Sequence, residues 1–198
     1  MSVEPTSALV VGASGMLIES VSWCSTRFAR VIATCSTEES AARLRSLGTN
    51  VSVVRADWAD HDAWWEQVES EIGDDTVALA VVWMHSAAGE LNPRRCHSMI
   101  ADEGLFVWIR GHAAADPESG ELAAWIDNGA SAEPLPDKRE RGVILGWHEA
   151  NGGCWLSSEE IGTGVVAHLE AWIEDSAKLP VAWVGTVRPW EGRPPGWS

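Results

Sequence analysis

Tyrosine is absent from this chain and phenylalanine occurs twice, whereas tryptophan occurs 13 times. Without tyrosine no phenol is present to donate a buried hydrogen bond or to carry a proton, so both duties fall to other groups. Lysine is nearly as scarce, standing only at Lys138 and Lys178. Fourteen basic residues against 29 acidic ones leave a formal charge of −15. Such a surface repels phosphate backbones and anionic lipid, which argues against nucleic acid and membrane as partners. No apolar run approaches the ~20 residues that span a bilayer. The N-terminal MSVEPTSALVVG has no basic stretch before its apolar run, so it reads as a first strand and not a signal peptide. Cys24, Cys35, Cys96 and Cys154 show neither CxxC pairing nor metal-ligand spacing. The expectation is four buried free thiols, no metal site and a cytoplasmic protein.

What is present has a regular rhythm. Apolar runs of strand length fall at Ala8–Val11, Val31–Thr34, Val51–Arg55, Val77–Met84, Leu105–Ile109, Val143–Gly146 and Val181–Val187. Most are continuous, as in parallel strands covered on both faces. Helical segments alternate with them at Met16–Phe28, Glu38–Leu47, Asp60–Ile72, Pro93–Ala101 and Ser158–Glu174. Trp64, Val68 and Ile72 recur at four-residue steps and mark one buried helix face. Ser157 followed by Glu160 is a capping-box pattern that starts the last helix. The alternation predicts one α/β domain over 1–198, doubly wound and mostly parallel, with about seven strands and helices on both faces. One segment, 111–142, breaks the rhythm with Pro117, Pro134 and Pro136 and a short helical stretch at Glu121–Asp127. It reads as a long irregular loop of the kind that serves as a lid or binding loop. The tail, 189–198, is rich in proline and tryptophan and reads as surface.

Leu9–Leu17, LVVGASGML, runs a buried strand into a glycine turn and then a helix. Glycine lets backbone approach a pyrophosphate, and the free N–H groups of a helix start favour an anion. The same pattern also serves as a plain strand-to-helix joint. In its first turn the chain resembles the short-chain dehydrogenase/reductase superfamily. It looks most like short, truncated bacterial members that lack the Tyr-x-x-x-Lys pair, through GASGML, WMHS at Trp83–Ser86, RGVILGW at Arg141–Trp147, WLSSEEIGTGVV at Trp155–Val166 and VGTVRPWEGRP at Val184–Pro194. The resemblance implies a Rossmann fold and an NAD or NADP site. Carried over, Gly12, Ala13, Ser14, Gly15, Met16 and Leu17 line the pyrophosphate, while the third glycine is replaced by Ile18 and Glu19. Ser36 and Thr37 end the second strand where an acid favours NAD and an arginine NADP, so preference between the two stays open. Asp57 matches an adenine-contacting aspartate with Trp58 beside it, or else serves as a helix N-cap.

Ligands of an open α/β sheet sit beyond the C-terminal ends of its strands. His85, His112 and His148 fall at those ends, whereas His61, His97 and His168 lie in helices and read as surface residues. The superfamily's tyrosine–lysine proton relay is excluded, and a histidine can do that work instead. His85 with Ser86 is the first candidate pair, Arg110 the candidate anion holder, and His112, Trp147 and His148 candidate pocket residues. The expected function is an atypical NAD(P) oxidoreductase acting on a small molecule, assembled as a homodimer. A lyase, isomerase or cyclase on the same fold, or a non-catalytic dinucleotide sensor, are the alternatives.

Overall fold

The computed structural model describes residues 7–57, 60–84, 93–128, 139–149, 153–175 and 179–195. They fall into two compact units, Met1–Val107 and Trp108–Ser198. The first unit runs β1 (Ser7–Val11), α1 (Ile18–Ser25), β2 (Arg30–Cys35), α2 (Glu38–Arg45), β3 (Val51–Arg55), α3 (His61–Ile72) and β4 (Val77–Val82). A 3-10 helix at Pro93–Met99 leads into β5 (Ile100–Arg110), which carries the chain into the second unit. That unit continues through a 3-10 turn at His112–Ala115, α4 (Ala123–Asn128), β6 (Glu140–Leu145), β7 (Trp147–His148) and β8 (Cys154–Trp155). It ends with α5 (Ser158–Glu174), β9 (Val181–Val184) and a 3-10 turn at Trp190–Gly192.

Seven strands form one sheet in the order β3-β2-β1-β4-β5-β6-β9, while β7 and β8 make a separate hairpin. The pairs β1–β2, β1–β4, β2–β3 and β6–β9 are parallel. The expected doubly wound Rossmann architecture is therefore the observed one. Its core is the apolar runs themselves: all five residues of β1 and all six of β6 are buried. Trp64, Trp65, Val68 and Ile72 bury the inner face of α3. The capping box of α5 is complete, with Ser157 Oγ accepting from Glu160 N at 3.3 Å and Glu160 Oε2 accepting from Ser157 N at 2.8 Å.

Several boundaries differ from expectation for identifiable reasons. The segment expected to be a helix over Pro93–Ala101 is a 3-10 helix that ends at Met99, and β5 begins at Ile100. The exposed pair Asp102 and Glu103 interrupts the apolar pattern without interrupting the strand. β6 begins at Glu140, inside the expected loop, because Glu140 and Arg141 are buried in it at 3% and 7% exposure. Charged residues read as loop in sequence, yet Arg141 Nη1 donates to the Glu140 carbonyl at 2.9 Å within the strand. β9 stops at Val184 because Gly185 adopts φ 77°, a left-handed turn that L side chains resist. Cys24, Cys35 and Cys96 are buried as expected, but Cys154 is exposed on β8. His97 is half-buried, its ring edge-on to Phe106 at 4.5 Å, and is not a surface residue.

Candidate functional site

Within the first unit the strand order reverses between β1 and β4, since β2 and β3 lie on one side of β1 and β4 on the other. The turn after β1 is built for that place. Gly12 takes φ 73°, and a Cβ there would stand 2.5 Å from the Trp83 carbonyl oxygen at the end of β4. Trp83 N donates to the Val11 carbonyl at 3.1 Å, which fixes the two strand ends together. The buried Thr34 of β2 holds the other side. Its hydroxyl accepts from Gly12 N at 3.2 Å and its carbonyl accepts from Ala13 N at 3.1 Å. Those two amides are spent on β2 and are not open to a ligand.

Later in the turn the chain opens. Gly15 is exposed, and a Cβ added to it meets no atom within 4 Å. Leu17, the N-cap residue of α1, makes no side-chain cap hydrogen bond, because leucine has no oxygen to give. Ala13 and Leu17 are themselves buried in the core, whereas Ser14 and Met16 are half-buried. Ala13 and Leu17 can therefore address a ligand only through backbone.

The flanking candidates take definite places. Ser36 is exposed beyond β2, and Thr37 caps α2 by accepting from Ser40 N at 3.2 Å. Ala56 N donates to the Cys35 carbonyl at 3.0 Å, which sets the exposed Asp57 beside that strand end. The N-cap of α3 is Asp60, accepting from Ala63 N at 3.1 Å, so Asp57 is released from the capping duty considered for it. Glu38 at the start of α2 accepts Arg45 at 3.0 Å and Arg55 at 3.5 Å. Trp58, His85 and Ser86 lie outside the described residues. An open hollow of about 480 Å³ lies on the edge strand between Val53–Arg55 and Glu66–Glu71, and its lining includes no thiol or imidazole.

Folds of this topology are known. No family model matches the chain, and no curated protein matches it. Solved structures do. A short-chain dehydrogenase/reductase from Serratia marcescens is 16% identical, with a TM-score of 0.63 over 92% of this chain and 99% of its own. A 3-oxoacyl-(acyl-carrier protein) reductase from Brucella melitensis is 15% identical, with a TM-score of 0.63 over 93% of this chain and 97% of its own. A bulky-bulky ketone specific alcohol dehydrogenase from Comamonas testosteroni is 14% identical, with a TM-score of 0.59 over 94% and 88%. The fold is that of the short-chain dehydrogenases/reductases. At these identities the likeness is one of fold, and chemistry must be read from this chain's own side chains.

In the short-chain dehydrogenase fold of this chain, the second unit carries the remaining candidates. Arg110 ends β5 with its guanidinium 3.7 Å from the Trp108 ring and paired with Glu121. An anion that uses Arg110 must therefore share its guanidinium with the Glu121 carboxylate or displace it. The β7–β8 hairpin sorts two of the others onto opposite faces, because residues paired across strands share a face and neighbours alternate. Trp147 pairs with Trp155, and His148 with the exposed Cys154. On the Trp147 face, His112 lies 4.7 Å from the Trp155 ring and 5.8 Å from the Trp190 ring, while Trp147 meets both edge-on at 6.4 Å. Burial, with a smaller contribution from Arg193, pulls the His112 pKa down and so favours the neutral ring. On the other face, His148 Nε2 lies 2.8 Å from Glu160 Oε1. Ser157, chiefly through its hydroxyl, then its backbone N–H, and after these His148, holds the Glu160 carboxyl down at about 2.

Trp155, Trp190 and Arg193 were not among the candidates read from sequence. Each lies far along the chain from His112, and only the fold brings them to it. Among the described residues no group of three His, Cys, Asp or Glu side chains is arranged to hold a metal ion, and no helix is long and apolar enough to cross a membrane.

Proposed function

We propose that the chain is an atypical oxidoreductase that binds NAD or NADP at the Gly12–Leu17 turn and acts on a small-molecule substrate. The observation that carries this reading is the open space above Gly15, at the reversal of strand order, beside a helix start with no side-chain cap. A pyrophosphate fits there: its charge suits the helix start, and no Cβ stands in its way. Ser14, Gly15 and Met16 would hold it, with Ser36, Thr37, Asp57 and Trp58 toward the adenosine half. Bound NAD(P) supplies hydride exchange. What the chain must add is a proton carrier to replace the missing tyrosine, and an imidazole does that at neutral pH.

His85 with Ser86 takes that role in our reading, Arg110 steadies the developing negative charge, and His112 and Trp147 shape the pocket, whereas His148 turns to Glu160 on the other face of the hairpin. The fold of the three dehydrogenase and reductase structures supports the oxidoreductase class without naming a substrate. We further propose a homodimer. Ile173 on α5, Leu179 after it and Trp183 on β9 are exposed at 54%, 48% and 41%, and they offer apolar surface for a second copy. Light scattering at twice the chain's 21.4 kDa is the expected result.

Calorimetric titration with NADH and NADPH tests the nucleotide reading, and no heat with either overturns it. Binding without turnover on any carbonyl or alcohol panel favours the sensor alternative. In a working assay, His85→Asn is expected to lose at least ~100-fold in kcat, the lower range for acid–base help, while still binding nucleotide. Activity within a few-fold of the parent removes His85 from the mechanism.

A further inference from the structure

The C-terminal arch of the second unit closes over His112. Its base is fixed: Arg188 donates from Nε and Nη2 to both carboxylate oxygens of Asp127, at 3.0 and 3.1 Å, and from Nη1 to the Ala115 carbonyl at 2.7 Å. Its far end is fixed by the buried Pro194. Between these anchors the hydrogen bonds of the arch among the described residues are internal. Gly192 N donates to the Pro189 carbonyl at 3.1 Å, and Arg193 N and Nη1 to the Trp190 carbonyl at 3.3 and 3.0 Å. Bonds of this kind travel with the arch when it moves. What it turns inward is the Trp190 indole, stacked at 29° to His112 and edge-on to Trp147. The cavity that His112 lines with Leu145, Trp155, Leu156 and Ile161 has about 10 Å³, the room of one water, and takes no part of its wall from Trp190, so a ring on His112 needs the indole's own place.

Arg193 completes the picture. Its guanidinium lies 4.4 Å from the centre of the Trp190 ring, and it makes no salt bridge among the described residues. An arginine over a planar ring, its charge felt by Asp116 and His112 but closed in no salt bridge among the described residues, suits a ring that bears an anion. We infer that Trp190 is a movable lid standing in the ring subsite of a planar aromatic carboxylate. When the arch swings out, the ligand ring takes the indole's place against His112 and Trp147. Arg193, next to the Pro194 anchor, pairs with the carboxylate. The inference rests on the assignment of His112 and Trp147 to the substrate pocket and is independent of the nucleotide site.

The test uses indole-3-carboxylate as probe, titrated calorimetrically into the full chain without nucleotide. The parent binds it, and Trp190→Ala binds it at least tenfold tighter, about 1.4 kcal/mol, because the lid no longer competes for the subsite. Indole, lacking the carboxylate, and cyclohexanecarboxylate, lacking the flat ring, each bind at least about tenfold more weakly. Arg193→Ala abolishes the preference for indole-3-carboxylate over indole. A Trp190→Ala chain that folds by circular dichroism and binds the probe no tighter than the parent overturns the lid. So does equal affinity for the cyclohexane acid. Should Trp190→Ala fail to fold, Trp190→Leu, which stays apolar but loses the ring stacked on His112, is titrated in its place, and affinity no higher than the parent's overturns the inference. NADH titration of the same preparations separates the two readings, since nucleotide binding without probe binding refutes the lid alone.

Discussion

Two glycines of the same turn give opposite predictions, and the difference comes from what surrounds each. At Gly12 a side chain meets a φ of 73° and the Trp83 carbonyl oxygen 2.5 Å from its Cβ. Gly12→Ala must bear left-handed strain and push β1 and β4 apart at their ends, a cost of about 1–3 kcal/mol. For a chain of this size that lowers Tm by about 2–12 °C. At Gly15 a Cβ meets nothing within 4 Å, so Gly15→Val leaves Tm within about 2 °C of the parent. The isopropyl group instead fills the space a pyrophosphate needs. NAD(P) affinity should fall at least about tenfold, or 1.4 kcal/mol. Scanning calorimetry reads the first quantity and titration calorimetry the second. A Gly15→Val protein that binds nucleotide as the parent does refutes the placement of the phosphate. A Gly12→Ala protein that melts with the parent refutes the account of the turn.

Thiol reactivity should divide the four cysteines. Burial pushes Cys24 and Cys96 up to about 12 and raises Cys35, while Cys154 is exposed, so the folded chain releases one equivalent from Ellman's reagent and the unfolded chain four. Cys154→Ser should abolish the native signal, and more than one fast thiol contradicts the packing. Acid stability should carry the mark of Glu160. Its folded-state pKa of about 2 lies below the ordinary 4.5, so its contribution is full above pH 4.5 and is lost as pH falls toward 2. Urea unfolding of Glu160→Gln across that range should show a shallower acid loss than the parent, and parallel curves contradict the assignment.

Much of the fold was legible because parallel strands buried on both faces are apolar at every position, as in the VALAVV of β4. The Gly12 turn was legible for a related reason, since strand, turn and helix are contiguous. The start of β6 was not, because Glu140 and Arg141 look like loop until the fold buries them. Nor was Thr34, whose hydroxyl serves an amide 22 residues earlier. The aromatic surroundings of His112 depend on Trp155 and Trp190, and no local pattern announces contacts over such separations. Asp57 shows the limit in small: sequence left two roles for it, and one backbone amide accepted by Asp60 removed one of them.

The tryptophan pairs have an optical consequence. With no tyrosine and only two weakly absorbing phenylalanines in the chain, near-ultraviolet absorption and emission come almost wholly from indole. Trp64 and Trp65 stand perpendicular at 4.6 Å in the first unit, and Trp147, Trp155 and Trp190 form a triplet in the second. Rings so close and so fixed couple their transitions and give circular dichroism bands that vanish when the geometry loosens. Each unit thus contains its own chromophore, set in place by its own packing. Two melting curves coincide when the units unfold together and separate when they do not, and no dye or label is needed to tell which.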